Sequence, residues 1–372
     1  METLIILSIV QSAFLYLLLL SKKDRSESNT LLGEWLLLMM LNQFYFLLIY
    51  FYADIVALEL LLILSAFPLL SGPIFFFYVA SLTGSGLKYK WLHFIPFIVF
   101  PVAVFFLRDD IQIDSGFIMS KSGGYQFFYH YYGYLFAAIP LIYVIASFGL
   151  LKKYSIKLQN QFSNHEKINL RWLRLWLLTA IVFLVFSFPS VYLATSFELF
   201  DRSISFKLIS AFNTIYIFVV GYFGFKQTTI FSDVSLTATQ DIKKEKYAKS
   251  GLDEDLANKY QEQLDNLMSE ENLFLEANLK AKDLAEKLGT SVHVLSQVLN
   301  QYAGKTFYQY MNDQRVNEVI RLMKEKQNDN ISSEGLAYQS GFNARSTFIK
   351  AFKAKTGQSP TVFRKNLSEP IG

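Results

Sequence analysis

Two short stretches near the carboxyl end present side chains whose chemistry matches the edges of nucleic-acid bases. In Val292–Tyr302 a helical period turns Leu295, Val298, Leu299 and Tyr302 to one side and His293, Ser296, Gln297 and Asn300 to the other. In Ala344–Thr356 the apolar side is Phe348, Ala351 and Phe352, while Arg345, Ser346, Ile349, Lys350 and Lys353 face outward. An arginine fork suits guanine O6 and N7, a glutamine amide suits adenine, and an exposed isoleucine can meet a thymine methyl.

The surrounding residues supply elements that would hold such helices. Asp283–Gly289 reads as a short amphipathic helix ended by a glycine, the residue that most readily takes the left-handed cap. Thr290-Ser291 then offers an N-cap for the next helix. Gly304 closes that helix, and Phe307–Lys326 follows as a longer one, with Phe307, Tyr310, Met311, Val316, Val319, Ile320 and Met323 at helical spacing. The pattern then recurs: Ser332–Ser340 leads into Gly341-Phe342, and Asn343 is positioned to cap Ala344–Thr356. Gly357 ends it, and Ser359-Pro360 opens a last short helix with proline in its first turn. Two short helix, glycine turn, helix units in series are a tandem helix-turn-helix candidate.

Charge agrees with that assignment. Residues 280–365 hold 14 Lys and Arg against 7 Asp and Glu, whereas residues 226–279 hold 6 against 11. A basic module behind an acidic connector is what a polyanion-binding domain on a repelling tether requires.

Residues from about 279 to 366 resemble the tandem helix-turn-helix domain of the AraC/XylS family of bacterial transcription regulators. The resemblance rests on Gly341-Phe342, Ser346-Thr347-Phe348, Phe352-Lys353, Gly357-Gln358-Ser359-Pro360 and Phe363-Arg364, and in the first half on Asp283-Leu284-Ala285 and Leu288-Gly289 with Ser291. It implies that the second helix of each unit enters successive major grooves of double-stranded DNA. His293, Ser296 and Gln297, then Arg345, Ser346, Ile349 and Lys350, would be the base-contacting positions. Lys305, Lys353, Lys355, Arg364 and Lys365 would contact phosphate, which fixes register without reading sequence. RNA polymerase is the partner the family implies, and activation its commoner outcome. Gly335 departs from the family pattern, because a good helix former is usual there; glycine costs ~1 kcal/mol in a helix interior, so a short or frayed supporting helix is expected.

The amino-terminal part is of another kind. The chain of 372 residues is 52% hydrophobic and 17% aromatic with a mean hydropathy of +0.27, and the apolar residues concentrate before residue 226. Seven stretches approach the roughly 20 apolar residues that span a bilayer: about 3–20, 31–52, 58–82, 91–107, 127–151, 172–195 and 206–225. Met1-Glu2 carries no basic region and no small-residue cleavage pattern follows, so the first stretch reads as a retained span. With the amino end outside, the inner loops hold ten Lys and Arg (Lys22, Lys23, Arg25, Lys88, Lys90, Lys152, Lys153, Lys157, Lys167 and Arg171) against three outside (Arg108, Lys121 and Arg202). An odd number of crossings delivers residue 226 onward to the cytoplasm. A bacterial cytoplasmic-membrane protein surrounded by lipid is therefore expected. The wider arrangement also resembles a membrane-bound branch of the same family.

Other chemistries find little purchase. The chain has no cysteine, which excludes disulfides, thiolate metal sites and cysteine nucleophiles. His93 and His130 have no carboxylate at metal-ligand spacing, and the polar residues within spans (Gln11, Asn42, Gln43, Asn213) suit interhelical hydrogen bonds. No carboxylate pair or nucleophile constellation suggests an enzyme, and no cofactor is implied. Leu252, Leu256, Tyr260, Leu264 and Leu267 mark an amphipathic linker helix. Its stripe either packs on the adjacent module or joins a homodimer through residues 252–268. The expected architecture is all-α: a seven-helix transmembrane domain over 1–225, a linker over 226–272 and the tandem helix-turn-helix domain over 273–372. Its expected role is a membrane-embedded transcription regulator whose bundle senses or anchors. The alternative is a transporter carrying a regulatory DNA-binding domain.

Overall fold

The computed structural model describes residues 2–22, 26–114, 117–122, 126–164, 170–196, 204, 207–223 and 254–368. The loose juxtamembrane segment expected over Gln227–Gln240, together with Lys23, Arg25, Lys167, Arg202 and Leu252, lies outside them. The chain divides into two compact units. One comprises Met1–Lys152 and Leu170–Lys243; the other comprises Lys153–Asn169 and Lys244–Gly372.

The first unit runs α1 (Glu2–Leu20), α2 (Glu27–Phe51), α3 (Leu58–Leu64), α4 (Pro68–Leu82), α5 (Ile95–Phe106), most of α6 (Gln126–Gln161), α7 (Arg171–Ser196) and α8 (Lys207–Phe223). Four apolar segments, Glu2–Leu20, Glu27–Phe51, Leu58–Leu82 and Tyr134–Gln161, are long enough to cross a membrane. Three shorter apolar helices, Lys90–Phe106, Trp172–Ser187 and Lys207–Phe223, coincide with the other three stretches. The stretch 58–82 is broken at Ser65–Phe67, and Pro68 becomes the first residue of α4. Proline there supplies no N–H for the Leu64 carbonyl, and the backbone before it stays helical but tightens, with the Ala66 and Phe67 N–H groups donating to the Ile63 and Leu64 carbonyls at 3.1 Å each.

Aromatic rings and paired hydroxyls hold these helices together. Trp176 is buried, edge-on to Trp35 at 5.4 Å and to Phe75 at 4.4 Å, and its indole N–H donates to Tyr216 Oη at 2.5 Å. Its place is thus the interior of the unit. Ser8 Oγ and Thr214 Oγ1 lie 2.6 Å apart, and His93 Nδ1 meets Tyr143 Oη at 2.8 Å. One correction concerns the segment after α5, read as loop. It contains an antiparallel hairpin, β1 (Ile111–Asp114) with β2 (Phe117–Ser120), pairing Ile111 with Ser120. Asp110 anchors it by accepting from the Ser120 hydroxyl and from the Ser122 N–H at 2.8 Å, bonds that hold its carboxyl below the usual range.

The second unit contains α9 (Glu254–Glu270), α10 (Ala281–Lys287), α11 (Val292–Gln297), α12 (Phe307–Met323), α13 (Ser333–Gln339), α14 (Arg345–Thr356) and α15 (Pro360–Ser368). The expected helix to Tyr302 changes from α to a π turn over Val298–Tyr302. Two apolar cores share α12. Phe307, Tyr310 and Met311 pack with Leu284, Leu295, Leu299, Leu264 and Met268, whereas Val316, Val319 and Met323 pack with Leu336, Phe342, Phe348 and Phe352. The linker helix therefore spends its apolar face inside this unit. Leu264 and Leu267 of the expected stripe pack there, joined by Met268, Ala257 is buried as well, and Leu256 is exposed.

Between the two cores Arg315 is almost wholly buried. Its guanidinium donates to the carbonyls of Phe274 at 2.8 Å and Glu276 at 2.9 Å, and to the carbonyl and hydroxyl of Ser163 at 3.3 Å each. Burial pushes its pKa down to about 10, so it stays cationic at neutral pH. Ser163 in turn donates its N–H at 3.3 Å and its hydroxyl at 2.7 Å to the Leu279 carbonyl. Phe162 bridges Lys280 in antiparallel fashion. Opposite Arg315, Gly341 has φ +87°, and a Cβ there would stand 2.5 Å from the Phe274 carbonyl oxygen.

Gly341→Ala combines a left-handed backbone with that collision. It is expected to destabilise the second unit by more than ~2 kcal/mol. Hydrogen exchange of the amides of residues 273–366 in the full chain measures this, and unchanged protection would refute the close approach.

Candidate nucleic-acid interface

The first helix-turn-helix is built by α10 and α11. Gly289 takes φ +66°, and the Thr290 N–H reaches back to the Ala285 carbonyl at 2.9 Å, closing α10. Ser291 caps α11 by accepting from the Val294 N–H at 3.2 Å. Leu295, Val298 and Leu299 are buried, which leaves His293 exposed and Ser296 and Gln297 half-buried. Gln297 donates to Gln301 Oε1 at 3.1 Å, and Asn300 donates to the Ser296 carbonyl at 2.7 Å, so this outer face is ordered by its own hydrogen bonds.

The second unit repeats the device with α13 and α14. The Phe342 N–H returns to the Ala337 carbonyl at 3.0 Å after Gly341, and Gly357 closes α14 at φ +76°. Two details differ from expectation. The N-cap of α14 is Ala344, with no side-chain cap, and Asn343 instead donates to Asn278 Oδ1 at 3.0 Å. Gly335 is the third residue of a seven-residue helix, where its N–H is capped by Ser332 Oγ at 3.0 Å. A Cβ there would come within 2.9 Å of the Ile331 side chain, so steric room accounts for the glycine.

Arg345, Ser346, Ile349 and Lys350 are all exposed on α14. Phe348 and Phe352 bury the opposite side and fix the rotation of the helix. Arg345 Nε pairs with Glu334 Oε1 at 2.5 Å, with side chains 67% and 42% exposed. An exposed pair of this kind is worth ~0–1 kcal/mol, so it orients the guanidinium and is displaced at little cost.

The predicted phosphate contacts divide. Lys353 and Lys365 are exposed. Lys305 pairs with Asp313 Oδ2 at 2.6 Å, and Lys355 donates to the Asp313 carbonyl at 2.8 Å, so two cations meet one residue of α12. Partial burial holds the Lys355 ammonium below its usual range. Arg364 departs from the expectation. Its guanidinium donates to the carbonyls of Asn328 at 2.7 Å, Asp329 at 3.2 Å and Ile331, bracing the loop that enters α13. A half-buried arginine spent on three carbonyls is committed to the fold.

Sequence reasoning missed Arg315 and Ser163. Arg315 carried a legible signal, since it follows Met311 by four residues and so shares the buried stripe of α12. Ser163, a lone serine more than a hundred residues away, carried none.

The Helix-turn-helix domain family matches residues 284–366. The chain is also 28% identical over 92 residues to "Probable transcription factor PqrA" of Proteus vulgaris, covering 25% of this chain and 73% of that protein. No solved structure matches. With both turns, both second helices and the shared α12 present within the matched residues, the chain carries an AraC-type helix-turn-helix domain at its carboxyl end.

Proposed function

We propose that this protein is a membrane-embedded, sequence-specific transcription activator, with α11 and α14 read into the major groove and the apolar first unit acting as its sensor. The observation that carries the DNA-reading part is the exposed row Arg345, Ser346, Ile349 and Lys350 on a helix whose rotation is fixed by buried Phe348 and Phe352. In this reading His293, Ser296 and Gln297 contact bases from the first unit, and Lys305, Lys353, Lys355 and Lys365 contact phosphate. RNA polymerase is recruited from the bound site.

Membrane placement is supported by four apolar helices of spanning length and three shorter ones. The lysine and arginine asymmetry of the loops favours seven crossings with the amino end outside. The route between membrane and DNA is supported by the end of α6 and by Phe162 and Ser163, which follow it directly, Ser163 gripping the DNA-binding module. The linker helix buries Leu264 and Met268 in the same module, so it offers a second connection.

Arg345→Ala is expected to cost ~1–3 kcal/mol on the target site and to relax preference at one base pair. Binding to target and scrambled duplexes decides this, and an equal loss on both would exclude base readout by Arg345. A reporter enzyme fused after Gly372 should be active only in the cytoplasm; activity outside the cell would overturn the whole reading. Ser163→Pro removes the N–H and the hydroxyl together. It should speed exchange of the 277–284 amides at least about tenfold and alter target transcription while leaving base preference intact. Unaltered transcription would separate this contact from signalling.

A further inference from the structure

The first unit has a partly open cavity of about 250 Å³ among α2, α4, α6, α7 and α8. Its wall is mainly aromatic and aliphatic, with Trp35, Phe75 and Phe183 prominent, and among the described residues no Asp, Glu, Lys, Arg or His lines it. Polar groups come from few positions: Asn42 and Gln43 on α2, Ser71 on α4, whose hydroxyl donates to the Pro68 carbonyl, and Asn213 and Tyr216 on α8. Gln43 is 2% exposed and Asn42 8%, yet Gln43 Oε1 and Asn42 Oδ1 accept no hydrogen bond. Buried amide oxygens without partners are uncommon, because nothing repays their lost hydration. Two of them side by side, on the wall of an apolar cavity, form a recognition element awaiting donors.

We infer that this cavity binds a small neutral molecule with an apolar body and a hydroxyl or N–H that donates to Asn42 and Gln43. Neutrality follows from the lining, since a charged ligand within an apolar bundle would meet no counter-charge. The donor follows from the two open acceptors. Gly72 belongs to the same wall; a Cβ there would stand 3.3 Å from Pro140 Cα and 2.7 Å from the Tyr143 ring, so its absence lets α4 and α6 approach beside the cavity. Helix α6 continues from this wall to Gln161, immediately before the Phe162-Ser163 contact. The inference rests on the sensor reading of the first unit and supplies that reading with a ligand class.

The test uses the full chain in lipid nanodiscs with two matched probes, 4-propylphenol and 4-propyltoluene, which differ in the donor. Saturable binding of the phenol at least about tenfold tighter than the toluene is expected. The Asn42→Leu/Gln43→Leu pair should abolish that difference. Ala180→Phe, which fills the cavity without touching the amides, should abolish saturable binding of both, and serves where the double variant fails to assemble. Equal binding of the two probes, or phenol binding indifferent to either change, would mean partition into lipid and overturn the inference. Target-DNA binding measured on the same samples keeps the two readings apart. Cavity binding that leaves DNA occupancy unmoved upholds the ligand site and removes the sensor role, whereas intact DNA binding without cavity binding removes the ligand site alone.

Discussion

A buried guanidinium with no carboxylate beside it among the described residues organises the second unit. Arg315 lies at the middle of α12, where the two apolar cores meet, and backbone carbonyls and one serine satisfy it. A buried cation is costly unless its donors are all used, and the fork geometry of arginine uses several at once. The carbonyls of Phe274 and Glu276 can therefore lie nowhere else. They belong to the segment joining α9 to α10, so one side chain positions the entry to the first helix-turn-helix from the helix that supports both. Gly341 completes the arrangement from the second helix-turn-helix, where only a residue without a Cβ can approach the Phe274 carbonyl.

From that centre the reading faces follow by packing. Leu295 and Leu299 rotate α11 so that His293 points away from the core, and Phe348 and Phe352 do the same for Arg345 and Lys350. The weak pair between Arg345 and Glu334 orients an exposed guanidinium without locking it. Arg364 shows the opposite use of a cation, with donors consumed by the loop at 328–331. Both arginines look alike as basic residues of a basic domain; only their surroundings separate a mobile contact from a structural brace.

The apolar unit depends on different forces. Without a hydrophobic drive between helices in lipid, association rests on close packing and interhelical hydrogen bonds. The Trp176 indole on Tyr216, Ser8 beside Thr214 and His93 beside Tyr143 are such bonds, each between helices distant in sequence. Glycines at 72 and 221 serve the packing: a Cβ on Gly221 would strike Leu15. Asn42 and Gln43 are among the buried groups whose side-chain oxygens accept no hydrogen bond; Asn29 Oδ1, Tyr78 Oη and Trp172 Nε1 of the same unit likewise make none, but those three residues do not line the cavity.

Local rules made much of this legible in the chain. Glycine before a polar-faced helix, the cap at Ser291 and the period of Phe348 and Phe352 mark a tandem helix-turn-helix, because turn chemistry and amphipathic period act within a few residues. Long apolar runs likewise mark spanning helices through length alone. What local rules missed is mainly long-range: the brace made by Arg364 and the grip of Ser163 on Leu279. The sequence by itself determined which segments are helical, which are apolar and where a duplex-reading module resides. Tertiary structure alone decided which cations remain available, which amides go unpaired and which distant loop holds the DNA-binding module, because hydrogen-bond satisfaction belongs to neighbours in space and not to neighbours in the chain.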